Sequence, residues 1–119
     1  MLEKVAWINL LFDFYGQLLT DRQKNFTELY YGQNLSLGEI AGEFDVTRQA
    51  VHDTLKRAGQ LLEEYEVKLG LVEKFLAERD KLLEAVSLLN EYKTTGEAGK
   101  VLHASEILNE ILELSLSAD

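Results

Sequence analysis

Apolar residues at the start of the chain recur at alternating steps of three and four, the period of a helix with one buried face. This line predicts a first helix over residues 3–16, which Gly16 ends or loosens. The residues on the line are Val5, Ile8, Phe12, Tyr15 and Leu19.

A longer line with the same step runs from residue 55 to residue 76. It continues through Gly59 and Gly70, so it predicts either one long helix or two helices joined at Gly70. Its members are Leu55, Ala58, Leu62, Tyr65, Leu69, Val72 and Leu76.

The second half of the chain predicts two further amphipathic helices, over residues 71–93 and roughly 97–116. In the first of them a second apolar line broadens the buried face, which suits a helical hairpin or a dimer interface. A chain of this size has little surface with which to cover both helices, so we expect a homodimer packed through the C-terminal half. The alternative is that the two helices fold back onto the first helix. The expected buried residues are Phe75, Leu82, Val86 and Leu89, then Ala104, Ile107, Leu108, Ile111 and Leu114.

Two capping boxes mark helix starts in the first half. Thr20 with Gln23 opens a helix that extends to about Tyr31, and Ser36 with Glu39 opens a short helix. In each pair the hydroxyl caps a backbone N–H three residues later, and the longer side chain returns to the first N–H.

The stretch from residue 34 to 59 has the pattern of a helix-turn-helix. After the short helix, residues 44–46 form a brief connection, and Thr47 is an N-cap for a second helix over residues 48–58. The turn often begins with Gly because that residue adopts a positive φ. Here it is Asp45, which tolerates the left-handed region better than most residues.

Polar residues of the second helix form the candidate site. We expect Thr47 and Arg48 to contact phosphate, Gln49 and His52 to approach base edges, and Lys56 and Arg57 to grip the backbone, as in a recognition helix in a major groove. In the plainer alternative, Arg48 pairs with Asp45 or Glu43, while Gln49 and His52 are ordinary exposed residues. The candidate residues are Thr47, Arg48, Gln49, His52, Lys56 and Arg57.

Composition favours an all-α fold and argues against catalysis. The chain has 119 residues, 46% of them apolar, with no Pro and no Cys. The absence of Cys removes disulfides and thiolate chemistry, and neither His52 nor His103 has metal-ligand spacing around it. No glycine-rich phosphate loop or nucleophile motif occurs, so we expect no cofactor, no metal and no enzyme activity.

The net charge of −9 lies mostly in the second half, because residues 1–20, 21–60 and 61–119 carry −1, −1 and −7. Few bases are available to neutralise phosphate, so a monomer should bind nucleic acid weakly, and a dimer or a protein partner would help. The alternative function is a protein-docking scaffold, in which the acidic C-terminal helices bind a basic partner such as a targeting GTPase.

The N-terminal stretch has acidic residues within its apolar part and no small-residue cleavage site, so it does not predict a signal peptide. The apolar runs are far too short to span a membrane. We therefore expect a cytoplasmic protein.

Residues 19–62 resemble region 4 of bacterial sigma factors, the part that reads the −35 promoter element. The resemblance is carried by LTDRQ, SLGEIAGEF, VTRQAV and LKRA, about a third of the chain. It implies that the predicted helix-turn-helix domain, residues 1–60, is sigma region 4-like. The acidic residues 61–119 are predicted to form a helical extension or dimerisation region, with one compact unit for both parts as the alternative.

The whole chain resembles the YlxM family of small helix-turn-helix proteins from Gram-positive bacteria and mycoplasmas. SLGEIAGEFDVTRQAVHDTLKRAGQLLEEYEVKLGL and the two acidic helices after it carry this likeness. Genes of that family commonly neighbour those of the signal recognition particle GTPase and its receptor. The resemblance implies a regulatory role in co-translational protein targeting, with DNA, a structured RNA or signal recognition particle components as partners and no catalytic residue.

Overall fold

The computed structural model describes residues 2–116 and the side chains of residues 3–113. Within this range the chain is helical with short connections and contains no strand, which confirms the all-α prediction. The helices are α1 (Leu2–Tyr15), α2 (Asp21–Thr27), α3 (Leu37–Phe44), α4 (Arg48–Leu69), α5 (Leu71–Thr95) and α6 (Ala98–Leu116), with a 3₁₀ turn at Gly16–Leu18 and a π-helical turn at Glu28–Gly32.

Two compact units make up the chain, residues 1–72 and residues 73–119. The first holds α1 to α4 and the first two residues of α5. Residue 60, where the sequence places the end of the helix-turn-helix domain, falls within α4.

The core of the first unit consists of two apolar clusters that follow one another along the buried face of α4, the first at Val51 and Leu55 and the second at Ala58 and Leu62. Leu11 is fully buried although it lies outside the predicted line, whereas Val5 and Phe12 on that line are only half-buried. The buried stripe of α1 is therefore shifted from the predicted one. One cluster contains Ile8, Leu11, Tyr15, Leu19, Ala58, Leu62 and Val72, and the other contains Phe26, Ile40, Ala41, Val51 and Leu55.

Both predicted capping boxes are present. The Ser36 hydroxyl accepts the N–H of Glu39, and the Glu39 carboxylate accepts the N–H of Ser36, each at 3.0 Å. That bond from the Ser36 N–H lowers the pKa of Glu39. Thr20 and Gln23 exchange the equivalent bonds at the start of α2. These local signals set the two helix starts as the sequence predicts.

Positive φ ends both α3 and α4. Asp45 has φ 53° at the C-cap of α3, which confirms that this aspartate occupies the left-handed position. Gly70 has φ 63° at the C-cap of α4, so of the two alternatives the chain forms two helices that meet at Gly70.

A partly buried hydrogen-bond network fixes the start of α5 within the first unit. The Tyr15 hydroxyl donates to Glu66 Oε1 at 2.5 Å and accepts the N–H of Leu71 at 3.1 Å. The same Glu66 oxygen accepts the N–H of Val72 at 3.0 Å. Two of the backbone donors that every helix start leaves open are therefore satisfied by side chains.

In the second unit, α5 and α6 form a hairpin with a small core. Ala85 packs with Ala104 and Ile107. Two ion pairs hold the helices together, Lys81 to Glu110 at 2.7 Å and Lys100 to Glu91 at 3.1 Å.

Within a single chain the predicted buried face of this hairpin is buried only in part. Ala104 and Ile107 are buried and Ile111 is half-buried, but Leu108 is exposed, and the side chain of Leu114 lies outside the described residues. The helical period identifies an apolar stripe, but Ala85 faces α6 instead of that stripe. All four residues of the second apolar line of α5 are between 39% and 52% exposed: Phe75, Leu82, Val86 and Leu89.

Candidate nucleic-acid interface

The helix-turn-helix places α4 against α3 through a shared apolar face. Ile40 and Val51 are fully buried, and Ala41 is small where the two helices pack. Residues 45–47 connect the helices, and the Thr47 hydroxyl accepts the N–H of Ala50 at 3.0 Å to cap α4. The apolar side of α4 is therefore packed against α3, and the opposite side of the helix is exposed to solvent.

The predicted site residues all lie on the exposed side of this motif. They are spread over the connection and the first three turns of α4. The exposed residues are Thr47, Arg48, Gln49, His52, Lys56 and Arg57.

Asp53 occupies the middle of this face and engages two of the predicted base-reading residues. The Gln49 amide donates to the Asp53 carboxylate at 2.8 Å, and His52 Nδ1 lies 3.5 Å from the same oxygen. A base edge that binds Gln49 would have to replace this intrahelical bond. Asp53 also adds a negative charge to the face that phosphate would approach, which would oppose binding to the phosphate backbone.

Arg48 lies against α3. A Cβ atom built on Gly38 would come within 3.1 Å of Arg48 Nε and Nη2. Among the residues that the structure describes, Arg48 and Lys56 have no carboxylate partner within ion-pair distance, so the alternative pairing of Arg48 with Asp45 or Glu43 is not formed. Arg57 differs, because its Nη1 is 4.0 Å from the Glu64 carboxylate.

A groove of about 610 Å³ beside α4 is lined by a lysine that the sequence did not indicate as a site residue. Lys4 of α1 and Lys56 both line it, over an apolar floor that includes Tyr31. Glu63 and Glu64 also line the groove, although Glu63 accepts the indole N–H of Trp7 and Glu64 faces Arg57. Lys4 and Lys56 are 52 positions apart, so no local signal could have linked them.

Other classes of site have little support in the part of the chain that is described. No group of three or more histidine, aspartate or glutamate side chains there is placed to hold a metal ion. None of the described helices has an apolar stretch long enough to cross a membrane.

Two capped helices joined by a left-handed aspartate, with a polar outer face on the second, define a helix-turn-helix protein. Residues 2–102 match the model of the family described as "UPF0122: Putative helix-turn-helix protein, YlxM / p13 like". The chain belongs to this family.

Relatives of similar length support the assignment. A UPF0122 protein of Desulforamulus reducens is 62% identical over 107 residues, which cover 89% of this chain and 91% of the relative. A UPF0122 protein of Bacillus mycoides is 49% identical over 110 residues, 92% of this chain and 100% of the relative. The resemblance to the YlxM family is therefore confirmed.

Proposed function

We propose that the chain is a non-catalytic regulatory protein that binds nucleic acid through the outer face of α4. The observation that carries the proposal is the contrast between the two sides of this helix. Val51 is fully buried against α3, while Arg48 and Lys56 are exposed and have no ion-pair partner among the described residues. Free cations on a rigidly held helix are the groups that phosphate contacts require.

Each predicted residue has a role in this proposal. The Thr47 hydroxyl, which already accepts an N–H, retains a proton that it can donate to phosphate. Arg48 and Lys56 supply the principal phosphate contacts, and Arg57 joins them when it leaves Glu64. Gln49 and His52 read base edges after exchange with Asp53.

We also propose that the protein acts as a homodimer, since two or three free cations per chain give weak binding. The second copy would cover the exposed apolar face of the hairpin. On α5 this stripe advances in steps of seven, four and three residues, and on α6 in steps of seven and four. It comprises Phe75, Leu82, Val86 and Leu89, with Val101, Leu108 and Leu112.

Helical geometry supports one continuous face. The stripe residues of α5 lie on average about 70° around the helix axis from Ala85, which faces α6. Those of α6 lie on average about 60° around the axis from Ala104, which faces α5. Because the helices of a hairpin are antiparallel, the same rotation on each brings both stripes to one side. Two such hairpins packed face to face would form a four-helix bundle.

The family resemblance extends the proposal to the signal recognition particle pathway, in the cytoplasm. Its target there would be promoter DNA or the structured RNA of the particle. The deep, narrow major groove of double-stranded RNA does not admit a helix, so an RNA target would have to present a loop or a widened groove.

The test is a salt titration of binding, followed by fluorescence anisotropy on labelled random duplex DNA and on labelled signal recognition particle RNA. Arg48→Ala with Lys56→Ala should remove most of the binding and lower the slope of log affinity against log salt by about two. The matched control is Arg79→Ala with Lys93→Ala, which makes the same charge change at exposed sites of α5.

Binding that the control pair weakens as much as the α4 pair would contradict the assignment of the face. A folded wild-type protein that binds neither probe at low salt would contradict nucleic-acid binding altogether. The scaffold function would then be favoured, because residues 73–119 carry a net charge of −5. Its test is charge reversal of Glu106 and Glu110, which should weaken the binding of a basic partner protein.

A further inference from the structure

Gly38, the second residue of α3, has its open side filled by the side chain of Arg48. The added Cβ atom would lie 3.1 Å from Nε and Nη2 and 3.3 Å from Cζ of Arg48. Gly42 and Gly59 provide the comparison, because a Cβ atom at either position would have nothing within 4 Å. The close approach is therefore particular to Gly38 among these three helical glycines.

A glycine inside a helix is less favourable than alanine, but at Gly38 the missing side chain leaves space for the side chain of Arg48. It lets the flat guanidinium of Arg48 rest on α3. Nothing in the structure explains the glycine at position 42.

This contact reduces the freedom of Arg48. A free arginine side chain samples many rotamers and loses that freedom when it grips a ligand, which lowers affinity. A guanidinium that already rests on α3 loses less. A paired contact with two phosphate oxygens also depends on the orientation of the planar guanidinium.

We propose that Gly38 is a positioning residue for Arg48: the absence of a side chain at Gly38 leaves the space in which the Arg48 guanidinium rests on α3, in the orientation that binds phosphate. The inference rests on the proposed function, since it assigns Arg48 to nucleic acid. Gly38 itself contacts no ligand in this scheme and acts through Arg48.

The experiment uses Gly38→Ala, with Gly42→Ala in the same helix as the matched control. Both are measured in the full-length protein by anisotropy, with the DNA or RNA probe that the wild-type protein binds. Gly38→Ala should weaken binding about fivefold, because the added methyl group displaces the guanidinium from its place on α3, and it should leave the salt slope nearly unchanged, because Arg48 keeps its charge. Gly42→Ala should stay within about twofold of the wild type. Thermal unfolding should show both variants folded, because alanine is the better helix former.

A double-mutant cycle separates positioning from a general structural effect. In an Arg48→Ala background, Gly38→Ala should change affinity by less than about twofold, since the side chain that it displaces is gone. An equal loss of binding in both backgrounds would overturn the inference, and so would a Gly38→Ala protein that binds like the wild type. A wild-type protein that binds neither probe would overturn the proposed function first, and the inference with it.

Discussion

The two units of the chain contain similar amphipathic helices but differ in how many apolar side chains they bury. The first unit has clusters of seven and five buried residues, among them Tyr15 and Phe26. In the described part of the second unit the cluster has three, and two of these are alanines. In the first unit the long helix α4 packs against three other helices, α1, α2 and α3. In the described part of the second unit, α5 and α6 pack through one narrow line of small residues.

The difference shows that apolar content does not measure burial. Residues 73–113 carry many leucines and valines, but small Ala85 and Ala104 occupy the line where α5 and α6 meet. A hairpin with so little buried surface is marginal by itself, since helix stability in proteins comes mostly from packing. The first unit supplies its own core, while the described part of the second leaves an apolar face exposed.

Truncation of Leu62 should have the largest effect. This residue is fully buried in the first unit, so Leu62→Ala should lower the free energy of unfolding by about 3 kcal/mol. Its counterpart is Leu83→Ala, the same change at a leucine of α5 that is 55% exposed, which should cost less than about 1 kcal/mol. Urea denaturation followed by circular dichroism measures both. Equal losses would break the distinction between the units.

Local signals in the sequence predicted much of the first unit. The pairs Thr20 with Gln23 and Ser36 with Glu39 set helix starts, and Asp45 adopts the left-handed conformation at the turn. Each of these depends on neighbours within four residues, so it can be read without knowledge of the fold.

Contacts between distant residues could not be predicted in the same way. The spacing identifies the stripe that contains Leu82 and Val86, but it does not tell which side of α5 meets α6. The approach of Arg48 to Gly38 and the groove shared by Lys4 and Lys56 depend on how separate helices are placed. The six candidate site residues stay predictions in their roles, although their exposure agrees with those roles.

Disruption of the apolar face of the hairpin should have the next largest effect. Leu82→Glu with Val86→Glu would bury two unpaired charges in the proposed dimer, so the dissociation constant should rise at least about a hundredfold. Leu76→Glu with Leu83→Glu adds the same charge on the far side of α5 and should leave the dimer intact. Sedimentation equilibrium over a range of concentrations measures both. A monomeric wild-type protein would rule out a second copy as the cover for this face.

The smallest effect is expected at the junction between α4 and α5, where the first unit fixes the start of a helix that continues into the second. Tyr15→Phe removes the hydroxyl that bonds Glu66 and Leu71, so it should lower the free energy of unfolding by about 1–2 kcal/mol. Tyr65→Phe is the control, because Tyr65 packs near Tyr15, with ring centroids 6.0 Å apart, and its hydroxyl has no bond within the described residues. Urea denaturation at neutral pH compares the two.

The pH dependence of this loss distinguishes the hydroxyl from the ring. Burial, with the bond to Glu66, raises the pKa of Tyr15 above its ordinary value of 10.0. The folded state therefore favours the protonated phenol, and its contribution to stability is complete below pH 10 and lost as the pH rises from there towards the folded pKa. Wild-type protein and Tyr65→Phe should lose this contribution in alkali, whereas Tyr15→Phe has none to lose. If Tyr15→Phe and wild type differ by the same free energy at pH 7 and well above pH 10, the buried hydroxyl does not hold the junction.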